Sequence, residues 1–420
     1  MNKDIKTKDN MPRAIVKILG RYPYGFWPYV IVTIVITGTD RLFGSIYIVD
    51  MTRYGISSQG IGLIASISAL VTTITNFPSG VLADTRGRAK VLAWGLGFWS
   101  VGLMLFGLSH TLWAFVVSIT VWALGVGVFS GIPQTWLVDT LSSQDQGNSK
   151  RWILPNVSSI AQLFGALCAA LSAILLSWRL SWLFGIQAAM GLGACLVVVV
   201  TMRENYGAQN RGAQVALKQS TRLLLKSVKM RLVLARSIGT RMIFSLFVVF
   251  WQVYLLERLH GSARIIGPLM ALLMIELSLG IWFARSLMKH FSPFIISALG
   301  SLLVALGAIV ATHGDLDAFY VGGGLIEVGL GIDGGAALVW IQDLVPTPVR
   351  AAVNSGIGTF GGISSILAPL IGGWLIRIDG FGWYWKTIVI LALVDAALCG
   401  SLELFKRREA MLDANKKFDL

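Results

Sequence analysis

The sequence predicts an all-α membrane protein whose twelve transmembrane helices form two pseudo-symmetric halves of six. Three observations carry this. Of 420 residues, 55% are hydrophobic and only 13% charged, with a mean hydropathy of +0.71, whereas soluble domains hold about 25% charged residues. Twelve apolar stretches are each long enough to cross about 30 Å of hydrocarbon at about 1.5 Å per residue. One long hydrophilic connection, 203–231, divides them six and six. So little polar sequence remains that a secreted disulfide scaffold, a nucleic-acid-binding domain with a membrane tail and a disordered chain are excluded.

Residues 1–26 carry Lys and Arg without a short apolar region and small-residue cleavage site, so they read as a retained cytoplasmic arm. The first half, 27–202, holds spans at 27–50, 59–82, 90–108, 112–138, 152–176 and 180–202. In the 203–231 connection, Lys218, Arg222, Lys226 and Lys229 fall at helical spacing, with Val215, Leu224, Leu225 and Val228 available for another face. That pattern suits a helix lying on an anionic leaflet, or a plain tether. The second half, 232–405, holds spans at 232–256, 265–288, 292–312, 317–344, 350–376 and 382–405, and residues 406–420 form a basic tail.

The net charge of +14 would suggest nucleic acid as partner in a soluble protein. Here its distribution decides otherwise. With the N-terminus inside, 26 of the 35 Lys and Arg fall in cytoplasmic segments, and the outer loops hold only Arg53, Arg179, Arg258, Arg264, Arg377 and Lys386. The positive-inside rule then places both termini and the 203–231 connection in the cytoplasm, as expected of a multi-pass protein of a bacterial inner membrane. Its partner is the lipid bilayer, and no nucleic acid is expected.

Cys168, Cys195 and Cys399 lie inside apolar runs without CxxC spacing and read as packing residues. His110, His260, His290 and His313 are scattered without metal spacing, and no GxxxxGK[ST] phosphate loop is present. No enzyme, metal or cofactor is expected. Any driving energy should come from an ion gradient or from the solute's own gradient.

The halves repeat in sequence. TrpLeuValAsp at 136–139 returns as TrpIleGlnAsp at 340–343, an offset of 204, at the same end of the fourth and tenth spans. More weakly, GVLADTRGRAK from Gly80 echoes GIWFARSLMKH from Gly280, without the acid in the second copy. In the first copy Gly80 permits close helix approach, Asp84 ends the second span where it can meet a basic side chain or a helix N-terminus, and Gly87 allows a tight turn. Arg88 and Lys90 add positive charge.

GVLADTRGRAK resembles the loop 2–3 signature of the major facilitator superfamily, and the resemblance extends over nearly the whole chain. It covers the twelve spans, the central loop and DLVPTPVRAAVNSG after the tenth span, where Pro346 and Pro348 break the chain before Arg350. It implies transport by alternating access through a cavity lined by spans one, four, seven and ten, by a chain acting as a monomer on a small-molecule substrate. It also implies that Asp84 latches the halves together on the cytoplasmic side and releases as the protein turns inward. The drug:proton antiporter branch is matched less well: Trp122 stands near where its span-four Arg would be sought, and LPNVSSIAQLFGAL lacks its span-five Gly-Pro signature. APLIGGWL at 368–375 reads as a Pro and Gly-Gly bend that lets neighbours approach or flex.

Ionisable groups within the bilayer are costly unless paired or wet, so they are the candidates for function. Asp40, Arg41, Arg241, Glu276, Glu327 and Asp395 fall at mid-depth, with Arg236 and Asp333 nearer the cytoplasm. Five acids against two deep cations leave carboxylates without a counter-charge, and such a group takes up a proton. Asp40, Glu276 and Glu327 are therefore the proton-coupling candidates, while Asp395 reads as a structural acid. Arg41, Arg241 and Asp333 are candidate charge partners or substrate anchors, and Arg241 is expected to pair with Glu276 or Glu327. Trp122, Trp136, Trp251 and Trp340 lie in cavity-lining spans and could stack on a substrate. Two transport functions stay open, proton-coupled efflux of amphipathic small molecules and uptake of a small polar solute such as a sugar or organic anion. A non-transporting receptor or scaffold is the third reading, with no soluble signalling domain to support it.

Overall fold

A computed structural model describes residues 23–146, 149–176, 180–206, 225, 228–344 and 350–418. The arm up to residue 22, the possible amphipathic helix at Lys218, Arg222 and Lys226, and the breaks at Pro346 and Pro348 lie outside them. Among the described residues, twelve helices are long and apolar enough to cross a membrane. They are α1 (Phe26–Arg53), α2 (Ser58–Arg86), α3 (Arg88–Phe106), α4 (Leu112–Ser142), α5 (Lys150–Leu175) and α6 (Leu180–Thr201), then α7 (Val228–Arg258), α8 (Ala263–Leu287), α9 (Pro293–Ala311), α10 (Leu316–Leu344), α11 (Arg350–Asp379) and α12 (Phe381–Phe418).

Local chemistry sets several of these ends. The Ser57 hydroxyl accepts from Gly60 N at 3.3 Å to start α2, Thr111 does the same for Ala114 N at 3.4 Å before α4, and Asp315 accepts from Ala318 N at 2.7 Å at the head of α10. Two helices are less regular than a simple apolar run suggests. α4 breaks after Phe129, where Gly131 takes φ +73° and Pro133 opens the following segment, Ile132–Ser142. α7 finishes in a π-helical turn at Tyr254–Arg258. α12 continues as helix past the expected span end at 405, to Phe418.

The repeat between halves shows most directly in how α3 meets α4 and α9 meets α10. A Cβ on Gly125 of α4 would lie 2.6 Å from the Gly95 carbonyl oxygen of α3, and one on Gly329 of α10 would lie 2.6 Å from the Gly300 carbonyl of α9. Both pairs therefore need glycine for backbone contact. One to two turns farther along, Gly102 packs on the backbone of Trp122 and Gly307 on that of Gly322. Gly95 and Gly102 are spaced as Gly300 and Gly307 are, and Gly125 precedes Trp136 by the interval at which Gly329 precedes Trp340.

The halves meet most tightly at the end away from the 203–206 segment and Asp84. There Gly62 of α2 lies against the Pro369 carbonyl of α11, and a Cβ on Gly373 would stand 2.9 Å from the Ser58 carbonyl. Ser58 Oγ donates to Glu257 at 2.9 Å, and Arg377 donates to Gln59 at 2.9 Å. The Pro and Gly-Gly stretch of α11 thus serves close approach. Nearer the middle, Gln252 Nε2 of α7 donates to the Gly44 carbonyl of α1 at 2.8 Å. Toward the Asp84 end, Thr73 and Asn76 of α2, Gln162 of α5 and Arg241 of α7 are exposed.

Candidate functional site

A cavity of about 310 Å³ lies between the halves, walled by α1, α2, α4, α7 and α8. Asp40, Arg41, Phe43 and Tyr47 reach it from α1 because 40, 43 and 47 share a helix face and 41 lies at its edge. Its aromatic wall is ordered. Phe43 stacks on Trp122 at 5.1 Å and 21° and on Tyr47 at 5.1 Å and 19°, and Trp251 of α7 and Met270 of α8 face them across the space. Gln252, held by its bond to Gly44, is a polar group on the same wall.

Of the four expected cavity tryptophans, only Trp122 and Trp251 line this space. Trp136 and Trp340 are corrected to packing residues. Each is almost fully buried and spends its indole N–H on an internal acceptor, Trp136 on the Arg203 carbonyl at 2.8 Å and Trp340 on Ser297 Oγ at 3.0 Å. The Trp in the repeat marks a packing position shared by the halves.

On the cavity wall, Arg41 is tied within its own half and acts on the other only through its charge. Its Nη2 donates to Gln162 of α5 at 3.4 Å, and Gly165, one turn along, leaves room for its side chain. Across the interface it lies within electrostatic reach of Glu327 on α10, which also feels Glu276 of α8. Glu276 rests on the backbone of α10 at Gly324, where a Cβ would stand 2.8 Å from its carboxylate, and Gly324 is one turn from Glu327. Among the described residues, Oε2 of each of the two carboxylates and Nε of Arg41 are buried atoms without a hydrogen-bond partner. Asp40, next to Arg41, feels the same guanidinium.

Arg241 does not take the partner expected for it. It is exposed beside Gly361 of α11, and among the described residues it forms no ion pair with Glu276 or Glu327. The sequence argument matched depth within one half, but the helix faces turn Arg241 elsewhere and bring the cation from the other half instead.

Asp333 is 1% exposed and pairs with Arg236, whose Nε lies 3.5 Å from Asp395. Ser301 donates to Asp395 at 2.6 Å, Thr240 donates to it at 3.0 Å, and the Arg236 guanidinium sits 5.1 Å over the Trp340 ring. This triad ties α7, α10 and α12 together inside the second half and lies away from the cavity. Asp333 is therefore placed as the charge partner of Arg236. The surrounding glycines serve helix contact: Gly329 against α9, and Gly331 against Gly280 of α8.

The Asp84 motif forms a third cluster. Arg88 donates to Asp84 at 3.0 Å and to the Thr135 carbonyl at 3.1 Å, and pairs with Asp139. Gly87 takes φ +102° with Glu204 pressed against it, and Glu204 accepts from Ala89 N at 3.2 Å and Lys90 N at 3.0 Å at the start of α3. Gly80, expected to serve close approach, has nothing within 4 Å of where its Cβ would be, so that reading is corrected. Asp84, Arg88, Thr135 and Asp139 all belong to the first half, and Glu204 to the connection just past it. Asp139 was visible in the repeat, and Glu204 as the acid just past the sixth span, but neither position by itself shows what it touches.

The sequence pattern of the Major Facilitator Superfamily matches residues 29–314. Among curated relatives, the chain is 22% identical over 125 residues to a probable 4-methylmuconolactone transporter of Cupriavidus pinatubonensis, covering 30% of this chain and 28% of that one. It is 25% identical over 170 residues to the inner membrane transport protein YajR of Escherichia coli, covering 38% and 36%. It thus spans about a third of each. Among solved structures, the nucleoside transporter NupG superposes with a TM-score of 0.75 at 13% identity, covering 90% of this chain and 99% of that one. The peptide transporter POT gives 0.72 at 14% identity, covering 94% and 98%.

Proposed function

The chain belongs to the major facilitator superfamily of transporters, and from that premise we propose that it is a proton-coupled secondary carrier of small amphipathic organic molecules, working by alternating access. The observation that carries this reading is one small cavity with a stacked aromatic wall, whose Arg41 is within electrostatic reach of the buried Glu327; Glu327 and the half-buried Glu276 each keep one oxygen without a hydrogen-bond partner among the described residues. A space of about 310 Å³ suits a single compact solute. Carboxylates without full compensation inside a membrane protein exchange protons at lower cost than they stay charged.

Direction follows from linkage. A solute that competes with the proton for the carboxylates leaves against it, and one that binds together with the proton travels with it. Efflux is supported by the apolar, aromatic wall and by Asp40, which suit an amphipathic solute with a positive end. Uptake of a small organic anion is favoured by one specific observation, Arg41 on the same wall. With the Asp84 end assigned to the cytoplasm by the distribution of basic residues, closure at the opposite end corresponds to an inward-open carrier, loading or unloading at the cytoplasm.

The test is transport by the purified chain in liposomes. Aryl carboxylates, aryl amines and hexoses would be offered with pH gradients of either sign. Solute accumulation that follows the gradient, and its loss in Glu327→Gln, is expected; accumulation indifferent to the gradient for every solute moved would refute proton coupling.

A further inference from the structure

We propose that Arg41 is the anion-binding residue of the cavity and that its charge, felt by Glu327 across the interface, is neutralised by the carboxylate of a small aryl organic acid, so that proton and solute bind together. This rests on the proton-coupled reading above and gives it a substrate class and a sign.

The guanidinium occupies two environments at once. It belongs to the cavity wall, and its charge is felt by Glu327 across the interface, although among the described residues the two form no ion pair. Neither contact satisfies it: Nε has no partner, and the bond to Gln162 is long at 3.4 Å. A second wall donor, Trp122 Nε1, is also without a partner among the described residues. Buried donors left unpaired are expensive, and an incoming carboxylate supplies acceptors in the planar geometry that a guanidinium matches best. The Phe43–Trp122 stack next to these donors offers a flat apolar surface for a ring. Donors beside an aromatic face describe an aryl carboxylate better than a sugar, which would need many more polar partners than this wall provides.

Proton linkage follows from what Glu327 faces. Glu276 comes from α8 and Arg41 from α1; α7 meets α10 with Arg236 held by Asp333 and Asp395 and with Arg241 beside Gly361 of α11; and α9, packed along α10, has no ionisable side chain between Pro293 and Ala311. Asp40 competes for Arg41 from its own helix. When the solute carboxylate takes the guanidinium, Glu327 is left beside Glu276 with no cation, and it takes a proton from water on whichever side the cavity is open. Anion and proton therefore promote each other's binding, by the same factor in both directions. The chain then runs as an anion and proton symporter, and a solute with a positive end is excluded from this mode.

Titration calorimetry on the purified full chain tests this, with 3-phenylpropionate, its amide and the matching amine as probes, at several pH values and in buffers of different ionisation enthalpy. The carboxylate is expected to bind with uptake of about one proton, more tightly at lower pH, and the amide and amine at least about 30-fold more weakly. Glu327→Gln should bind the carboxylate with affinity kept or raised and with proton uptake lost. Arg41→Gln should lose at least about 30-fold in affinity, and Arg41→Lys should recover part of it. Failure of the carboxylate to bind, equal binding of the amide, or unchanged proton uptake in Glu327→Gln would overturn the inference. If Arg41→Gln does not fold, Arg41→Lys and Glu327→Gln decide. The two proposals fail separately: gradient-driven transport of other solutes with no carboxylate binding sinks only the anion assignment, whereas carboxylate binding with proton uptake but no gradient-driven transport sinks only the carrier reading.

Discussion

Arg236 shows how a membrane protein holds a buried charge by pairing it. Its side chain is 3% exposed, between Asp333 and Asp395, each 2% exposed, and Ser301 and Thr240 complete the carboxylate shell. Removing the cation alone would strand two buried carboxylates, a loss of about 3–5 kcal/mol, while replacing the whole cluster by apolar side chains of similar volume is often close to neutral. Arg236→Met should therefore lower the melting temperature in detergent sharply, and Arg236→Met with Asp333→Leu and Asp395→Leu should recover much of it. A triple variant no more stable than the single one would show that the triad is not held by charge balance. At this scale the sequence revealed which residues were unusual, but not their pairing. Depth along a helix can be counted from its ends, whereas the direction a side chain faces depends on packing, and this is why Arg41 from the other half stands near Glu327 where Arg241 was expected.

At the level of helices, the apolar runs were sufficient to locate all twelve spans, with ends set within a few residues except at α12, which runs on from the expected 405 to Phe418. What they hid were interruptions that hydropathy does not register. The break in α4 needs Gly131 at positive φ followed by Pro133, both visible in the sequence, yet the flanking residues are so apolar that the run reads as continuous. The glycine spacing shared by α3 with α9 and by α4 with α10 was a stronger repeat signal than the four-residue Trp and Asp echo, because it records backbone contacts that the fold requires twice. Gly125→Ala and Gly329→Ala should each cost about 1–3 kcal/mol through overpacking. Gly97→Ala, with nothing within 4 Å of its added methyl group, should be neutral or mildly stabilising, since alanine is the better helix former. Thermal unfolding of the three variants separates these cases, and equal effects at all three positions would mean that the glycines act through helix propensity and not through contact.

For the molecule as a whole, alternating access requires that the closed end open by parting surfaces that are interlocked here. At the end away from Asp84, α2 and α11 approach until Gly62 meets the Pro369 carbonyl and Gly373 meets Ser58, and the Ser58–Glu257 and Arg377–Gln59 hydrogen bonds cross the same seam. A side chain at position 62 cannot be absorbed by a flexible neighbour, because the opposing atom is backbone. Gly62→Leu should therefore wedge this seam apart, while leaving the core of each half untouched. If the two ends are reciprocally coupled, the opposite mouth must narrow in response, since packed halves move as rigid bodies about the central cavity. With the native cysteines replaced, spin labels at Arg53 and His313 would report the far end, and labels at Gln134 and Val339 the Asp84 end, all four being exposed positions. In Gly62→Leu the first distance should lengthen and the second shorten. The magnitude is set by population: a wedge that disfavours the closed seam by about 1.4 kcal/mol shifts the ratio of the two states about tenfold, which distance distributions resolve as a change in peak weights rather than a new peak. A folded variant whose far-end distance lengthens while the Asp84-end distance stays fixed would show that the two mouths open independently, and with that the rocking mechanism would fail for this chain.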